Sequence, residues 1–237
     1  MKTHSPHIQQ YASLPISILV RILVIIAARP HVIPFAAELA GFLDKRGGRL
    51  RETVETVTMD TDNEEMKGLG ALHLAAGNGK LEMCRHLVEG LLMDVDIVDS
   101  SGRTPLVNAI HGKSVDAVKY LLEHGANQDK VDRYGFSPLH VAAGLGCCEI
   151  VELLLARGAY TDPVTCCGTP LHIAATEGQD CTMKILLNHN ADYNKMVNGM
   201  TPLYFAVNAA SVKCVRLLVQ PSILSATYTM TVNWTVQ

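Results

Sequence analysis

The chain has 237 residues, of which 20 are Lys or Arg and 23 are Asp or Glu, so its formal net charge is −3. A protein that binds nucleic acid through phosphate contacts needs a basic surface. This charge balance supplies none, so we predict no nucleic-acid ligand. Apolar residues make up 48% of the chain, and a chain of this length can bury a core of its own.

The first 30 residues include an apolar segment, residues 14–28, that is too short for a membrane-spanning helix. Such a helix needs about 20 apolar residues, and a charge such as Arg21 near its centre costs about 3 kcal/mol. The same charge interrupts the apolar region that a signal peptide requires. We predict that residues 1–30 pack as a helix on the rest of the fold or stay unstructured. Membrane association through residues 14–28 and an atypical start of the reading frame are the alternatives.

Two short segments, residues 34–39 and 48–54, look like the helices of a degenerate version of the unit that follows them. We interpret residues 31–64 as an N-terminal capping repeat. The ends of a repeat array need such a cap because their outer face meets water.

The strongest signal is a Thr/Ser-Pro-Leu motif that recurs about every 33 residues, at Thr104, Ser137, Thr169 and Thr201. A Thr or Ser side chain caps a helix N-terminus, and Pro fits the first helical position because its missing N–H has no partner there. Each copy therefore predicts the start of a helix. A weaker copy begins at Gly70, which lacks a capping side chain, so we expect that helix to fray more easily.

A second helix follows each motif after a short break, with apolar residues three and four positions apart, as in residues 149–155. Gly125, Gly158 and Asn190 stand where a left-handed residue would close this helix. The Asp and Gly residues beyond them are typical of β-turns. The repeated unit is thus turn, helix, helix.

This unit resembles the ankyrin repeat, which has about 33 residues and a Thr-Pro-Leu-His core. The resemblance implies an all-α solenoid of stacked helix-turn-helix units with short β-turn fingers, and a role in binding rather than catalysis. We predict five ankyrin repeats, at residues 65–98, 99–131, 132–163, 164–195 and, truncated, 196–220. Four segments are also similar to plant ankyrin-repeat proteins that carry a C-terminal tetratricopeptide array: residues 48–57, 70–76, 129–132 and 162–165. Residues 221–237 do not resemble a tetratricopeptide.

Two repeats depart from the pattern at positions that shape the backbone. The second has Val107 in place of His and Lys113 in place of the Gly that forms the break between helices. The fourth has Cys167 at the Gly position of the finger, followed by Gly168. We expect an altered inter-helix turn in the second repeat and a distorted finger in the fourth.

Residues 221–237 contain no charged side chain and alternate between polar and apolar residues. A solenoid end normally presents a polar face. This tail either folds over the last repeat or leaves an end that is prone to aggregate.

The seven cysteines do not form a zinc motif, because the adjacent pairs at 147–148 and 166–167 lack C-x-x-C spacing. Helix geometry also predicts that these pairs lie more than about 13 Å apart. The chain has no phosphate-binding loop, HExxH or GxSxG motif. We predict no metal, no cofactor and no catalytic residue, and we interpret the motif histidines as structural groups that join fingers to helices. Unpaired cysteines favour a reducing compartment, hence a cytoplasmic protein.

In ankyrin proteins the variable finger and inner-helix positions line one concave surface that binds a partner. The resemblance implies these partner-binding residues here: Met66, Leu69, Arg103, His111, Arg133, Tyr134, Phe136, Leu145, Asn198 and Met200. Arg and aromatic side chains dominate interface hot spots, although Tyr134 and Phe136 could equally pack finger against finger. We predict a monomeric adaptor that binds an unidentified protein. A membrane-tethered adaptor and the regulatory subunit of an enzyme such as a phosphatase are the alternatives.

Overall fold

The computed structural model describes residues 69–219, which are helical apart from turns and two isolated β-bridges. The all-α expectation is therefore confirmed for this part of the chain. The helices form five successive pairs: α1 (Ala71–Gly77) and α2 (Leu81–Arg85), α3 (Pro105–His111) and α4 (Val115–Glu123), α5 (Pro138–Gly144) and α6 (Cys148–Ala156), α7 (Pro170–Thr176) and α8 (Asp180–Asn188), α9 (Pro202–Asn208) and α10 (Val212–Val219). The predictions for residues 1–30, 31–64 and 221–237, and for Met66, lie outside the described residues. The repeat boundaries stay a prediction.

The first helix of each pair begins where the motif predicts. At α3 the Thr104 hydroxyl accepts the N–H of Val107 at 3.4 Å, and Pro105 occupies the first helical position. At α1 no side-chain cap is present, but the N–H of Gly70 donates to Nδ1 of His73 at 3.3 Å. The weaker copy thus lacks the Thr or Ser hydroxyl but keeps the hydrogen bond from the motif histidine.

The described residues belong to two compact units, with the division between Pro138 and Leu139. In each unit, Leu and Ile side chains from both helices of a pair are fully buried, and the Ala-Ala segments of the motif are buried beside them. The largest of these buried side chains are Leu72, Leu87, Leu106, Ile110 and Leu121 in the first unit, and Leu139 and Ile150 in the second.

Between the buried leucine of its second helix and its finger, the first repeat has one more residue than the second. A π-helix accommodates this extra residue. Residues His86–Gly90 continue α2 as this π-helix. The N–H of Met93 then donates to the carbonyl of Leu87 at 3.1 Å, whereas in the second repeat the N–H of Ala126 donates to Leu121 at 3.0 Å. The loop closed in the first repeat is therefore one residue longer, as expected when a single π-turn is inserted into a helix.

Leu92 ends this helix with φ of 53°, at the position that Gly125 holds with φ of 87° in the next repeat. Left-handed backbone costs a residue with a Cβ about 1 kcal/mol, and the Leu92 side chain, 65% exposed, gains little from burial. We expect Leu92→Gly to raise the free energy of unfolding by about 0.5 kcal/mol, since the greater unfolded-state entropy of Gly offsets part of the relief. Urea denaturation measures this change.

The matched control for that experiment is Leu92→Ala, which removes the same apolar side chain but keeps the Cβ. It should give no gain. An equal gain from both variants would show that the exposed side chain, and not the backbone angle, sets the cost.

The two departures from the repeat pattern have different outcomes. Lys113 takes φ of 52°, close to the 64° of Gly79 at the same place in the first repeat. The altered turn expected there is not observed. The fourth finger does differ, because it closes with the N–H of Thr165 donating to the carbonyl of Gly168 at 2.9 Å, three residues on. The second finger closes across four residues, from Asp99 to Arg103 at 3.0 Å.

Candidate functional site

The fingers of the first unit are held in shape by a buried or half-buried aspartate. The carboxylate of Asp99, 5% exposed, accepts the N–H groups of Ser101 at 2.8 Å and Arg103 at 2.9 Å. Its second oxygen pairs with Nε of Arg103 at 3.1 Å. The guanidinium of Arg103 is therefore tied into its own finger. Its main role is to hold the shape of this finger and not to present its charge to a partner.

The next finger, residues 132–136, repeats this arrangement and adds an exposed aromatic side chain. Asp132 accepts the N–H groups of Tyr134 and Phe136, both at 2.9 Å. The N–H of Arg133 donates to the carbonyl of Ser101 at 3.0 Å and so joins this finger to the preceding one. Tyr134 is 72% exposed and Phe136 is half-buried. The exposure favours the interpretation of Tyr134 as a contact residue over the alternative that it packs between fingers.

An exposed apolar residue precedes each of these fingers, at a position outside the predicted partner-binding set. Val98 and Val131, 46% and 49% exposed, stand directly before Asp99 and Asp132. In the second unit the corresponding exposed residues are Val164 and Met196. Their recurrence at one repeat position was the signal in the sequence that could have identified them.

On the inner helices, His111 is the exposed last residue of α3. Directly after it, Gly112 approaches α1 so closely that a Cβ at this position would overlap the carbonyl oxygen of Gly77. The two inner helices of the first unit thus meet backbone to backbone at their C-terminal ends. This contact fixes the position of His111 at the C-terminal end of α3.

In the second unit, Asn198 and Met200 belong to a tight hairpin. Asn198 and Gly199 have φ of 53° and 76°, and the N–H of Val197 donates to the carbonyl of Met200 at 2.9 Å, which is the geometry of a type I′ turn. The amide of Asn198 also donates to the carbonyl of Cys166 in the fourth finger at 3.2 Å. Asn198 therefore has a structural role, although it remains exposed. Leu145 is half-buried in the turn between α5 and α6.

The prediction that Leu69 contacts a partner is wrong, because its side chain is only 8% exposed. Leu69 immediately precedes Gly70, the N-cap residue of α1. Apolar residues at this position commonly pack against the first turn of the helix that follows. The same position explains the half-burial of Phe136 and Met200.

The motif histidines of the first, third and fourth repeats join each of these repeats to the next finger, as interpreted from the sequence. Within the first unit, Nε2 of His73 lies 3.0 Å from the carbonyl oxygen of Arg103. Within the second, Nε2 of His140 and of His172 each lie 3.3 Å from a finger carbonyl, that of Gly168 and Met200. Since Nδ1 of His73 and of His172 accepts a backbone N–H, Nε2 carries the proton and donates. Burial lowers the pKa of both imidazoles, which keeps them neutral.

The cysteines are not all unpaired, contrary to the assumption behind the predicted reducing compartment. Cys148 is joined to Cys181 by a disulfide. Five further cysteines lie outside this disulfide: Cys84, Cys147, Cys166, Cys167 and Cys214. Within residues 69–219 no group of three or more His, Cys, Asp or Glu side chains is arranged to hold a metal ion, and no helix is long and apolar enough to span a membrane.

Comparison with known families gives a match over most of the chain. The family model for ankyrin repeats, in three copies, matches residues 46–132, 72–165 and 160–228. Each of the five described helix pairs lies within these ranges.

Three curated proteins illustrate the similarity. Ankyrin repeat protein nuc-2 of Neurospora crassa is 31% identical over 68% of this chain, and B-cell lymphoma 3 protein homolog of Mus musculus is 36% identical over 53%. These matches span 16% and 28% of the two relatives. Probable 26S proteasome regulatory subunit p28 of Saccharomyces cerevisiae is 29% identical over 63% of this chain and 67% of its own length.

Proposed function

This chain belongs to the ankyrin-repeat family, whose repeats serve as protein-protein interaction modules, and on that premise we propose that it is a non-catalytic adaptor. Its partner is a protein that contacts the fingers and the exposed ends of the inner helices. The observation that supports this most directly is Tyr134, 72% exposed at the tip of a finger. A large aromatic side chain in water has no stabilising role of its own, whereas at an interface it can bury a large apolar area.

The finger around Tyr134 is organised before any partner arrives. The N–H groups of Tyr134 and Phe136 donate to the carboxylate of Asp132. The N–H of Arg133 donates to the carbonyl of Ser101. A partner would therefore spend little free energy on ordering this segment. Val98 and Val131 add exposed apolar surface at the base of the two fingers.

A regulatory subunit of an enzyme assembly is the second candidate, because the yeast relative p28 is named as a probable regulatory subunit of the 26S proteasome. The binding chemistry is the same in both cases, and only the client differs. A membrane-tethered adaptor is the third, and the segment on which it depends lies outside the described residues. We propose a monomeric cytoplasmic protein for the first two.

We expect Tyr134→Ala to weaken partner binding about 30-fold or more, which corresponds to about 2 kcal/mol for a hot-spot residue. The fold should be unaffected because the side chain is exposed. Affinity purification from a native extract with the wild-type chain and the variant, followed by mass spectrometry, identifies proteins that only the wild type retains. Titration of the purified partner then measures the affinity.

The control is Tyr160→Ala, which removes a tyrosine of similar exposure, 61%, that lies outside the fingers. It should bind the partner as the wild type does. Equal affinity of the wild type and Tyr134→Ala would move the site away from this finger. The adaptor proposal itself would fail if the wild type retained no specific protein.

A further inference from the structure

The pair Cys148 and Cys181 has a counterpart one repeat later, within the same unit. Asp180 and Lys213 lie 32 residues after Cys148 and Cys181 in the sequence, and their side chains form an ion pair at 3.7 Å. Side chains at these two positions of neighbouring repeats therefore reach each other in both places. The third and fourth repeats use two thiols where the fourth and fifth use opposite charges.

The backbone holds the two cysteines together independently of the sulfur bond. Their Cα atoms are 6.2 Å apart, within the range that a disulfide spans. On either side of Cys181, the Gln179 amide donates to the carbonyl of Gly144 and the Thr182 hydroxyl donates to that of Ala143, both at 3.3 Å. These bonds anchor the start of α8 to the end of α5. The two thiols would thus stay adjacent when the disulfide is reduced.

Four of the other cysteines are poorer candidates for the same chemistry. Cys84 and Cys214 are fully buried, and burial raises the pKa of Cys84 to about 12. Cys166 and Cys167 are exposed, with sulfur atoms 3.7 Å apart, but the hydrogen bond between them raises the pKa of Cys167 and so disfavours its nucleophilic thiolate. Cys181 is exposed and has a partner one repeat away.

We propose that Cys148 and Cys181 form a reversible thiol-disulfide site whose oxidising substrate is a small-molecule disulfide of the glutathione type. The exposed Cys181 thiolate attacks one sulfur of glutathione disulfide, breaks its S–S bond and releases one glutathione thiolate. The Cys148 thiolate then attacks the Cys181 sulfur of the mixed disulfide and displaces the second glutathione. The two protein thiols lose two protons and two electrons, and glutathione disulfide is reduced to two glutathione molecules.

The oxidised site links two consecutive repeats through a covalent bond across 33 residues of sequence. A cross-link of this loop length lowers the unfolding equilibrium constant by roughly a hundredfold or more, because it restricts the unfolded chain. The redox state of the solution would therefore set the stability of the third and fourth repeats.

The experiment uses the full chain, reduced and then equilibrated in buffers of varying ratio of reduced to oxidised glutathione. After free thiols are alkylated, peptide mass spectrometry measures the fraction with Cys148 linked to Cys181. We expect this linkage to form as the proportion of glutathione disulfide rises and to reopen in excess reduced glutathione. Urea denaturation should show an unfolding constant at least about 100-fold lower for the oxidised chain.

Two variants make the outcome decisive. Cys148→Ser/Cys181→Ser should lose the redox dependence of stability, and Cys166→Ser/Cys167→Ser should keep it. Three results would each overturn the proposal: oxidation that joins Cys166 to Cys167 instead, a mixed disulfide at Cys181 that never resolves, or a Cys148–Cys181 bond that excess reduced glutathione does not open.

Discussion

Replacing His172 by Ala should lower the free energy of unfolding by about 3 kcal/mol. The imidazole is fully buried, its Nδ1 accepts the N–H of Thr169 at 3.2 Å, and its Nε2 donates to the carbonyl of Met200 at 3.3 Å. It also packs edge-on against Phe205, with ring centroids 5.6 Å apart. The substitution removes both hydrogen bonds, leaves a buried N–H unpaired and creates a cavity. Urea denaturation followed by circular dichroism measures the loss.

His189→Ala is the matched control, because His189 is an exposed histidine just beyond α8 in the same unit. It should change the free energy of unfolding by less than about 0.5 kcal/mol. If His172→Ala and His189→Ala were equally stable, the hydrogen bond from His172 to the fifth finger would contribute no net stability.

The imidazole of His172 also predicts a pH dependence of stability that distinguishes His172→Ala from the wild type. Burial lowers the pKa of His73 and His172 in the folded state, while in the unfolded chain a histidine titrates near 6.5. Below that pH the unfolded state binds more protons, so stability is full above about pH 7 and falls as the pH drops below 6.5. The slope approaches about 1.4 kcal/mol per pH unit for each histidine. His172→Ala should therefore show a shallower loss of stability between pH 6.5 and 5 than the wild type.

Gly112→Ala should destabilise the first unit by about 3 kcal/mol or more. The φ of Gly112 is −73°, which any residue adopts, so backbone strain at this residue is not the reason. The reason is space, because the added Cβ would overlap the carbonyl oxygen of Gly77. A backbone atom has no rotamer to change, so α1 and α3 would have to separate and the buried Leu72 would lose packing. Thermal and urea denaturation both report this effect.

Gly77→Ala tests the same contact from its other side. A Cβ on Gly77 would have the carbonyl oxygen of Asn108 as its nearest neighbour at 3.4 Å, an ordinary van der Waals contact. Since Gly77 ends α1 and Ala favours helix, this variant should be as stable as the wild type or slightly more so. Near-wild-type stability of Gly112→Ala would mean that the inner helices are not in backbone contact.

Much of the fold follows from local signals that act within one turn of the chain. A Thr followed by Pro determines a helix start, as at Thr104, because capping and the fixed φ of Pro depend only on neighbouring residues. The motif histidines were also interpretable, since each partner carbonyl belongs to the residue directly before the Thr of the next motif, as at Arg103 and Gly168.

Features that depend on packing between repeats were harder to predict. Leu69 was assigned to the surface from its place in the repeat, but the position before a cap is where an apolar side chain packs inward. No cysteine motif predicts the pairing of Cys148 with Cys181, although a separation of 33 residues places two side chains near the same level of neighbouring repeats. Val98 and Val131 recur at one repeat position, which marks them in the sequence, but their exposure depends on how the fingers fold.

The imidazole bonds also give the array a direction. Each histidine bonds to the finger of the next repeat. If one repeat unfolds, the finger after it loses this hydrogen bond, whereas the histidine of the repeat before it is unaffected. Val107 stands at the histidine position of the second repeat and cannot donate such a bond. The finger that carries Tyr134 therefore receives no hydrogen bond from a motif histidine. It keeps its shape through Asp132 instead, and the N–H of Arg133 joins it to the carbonyl of Ser101 in the preceding finger.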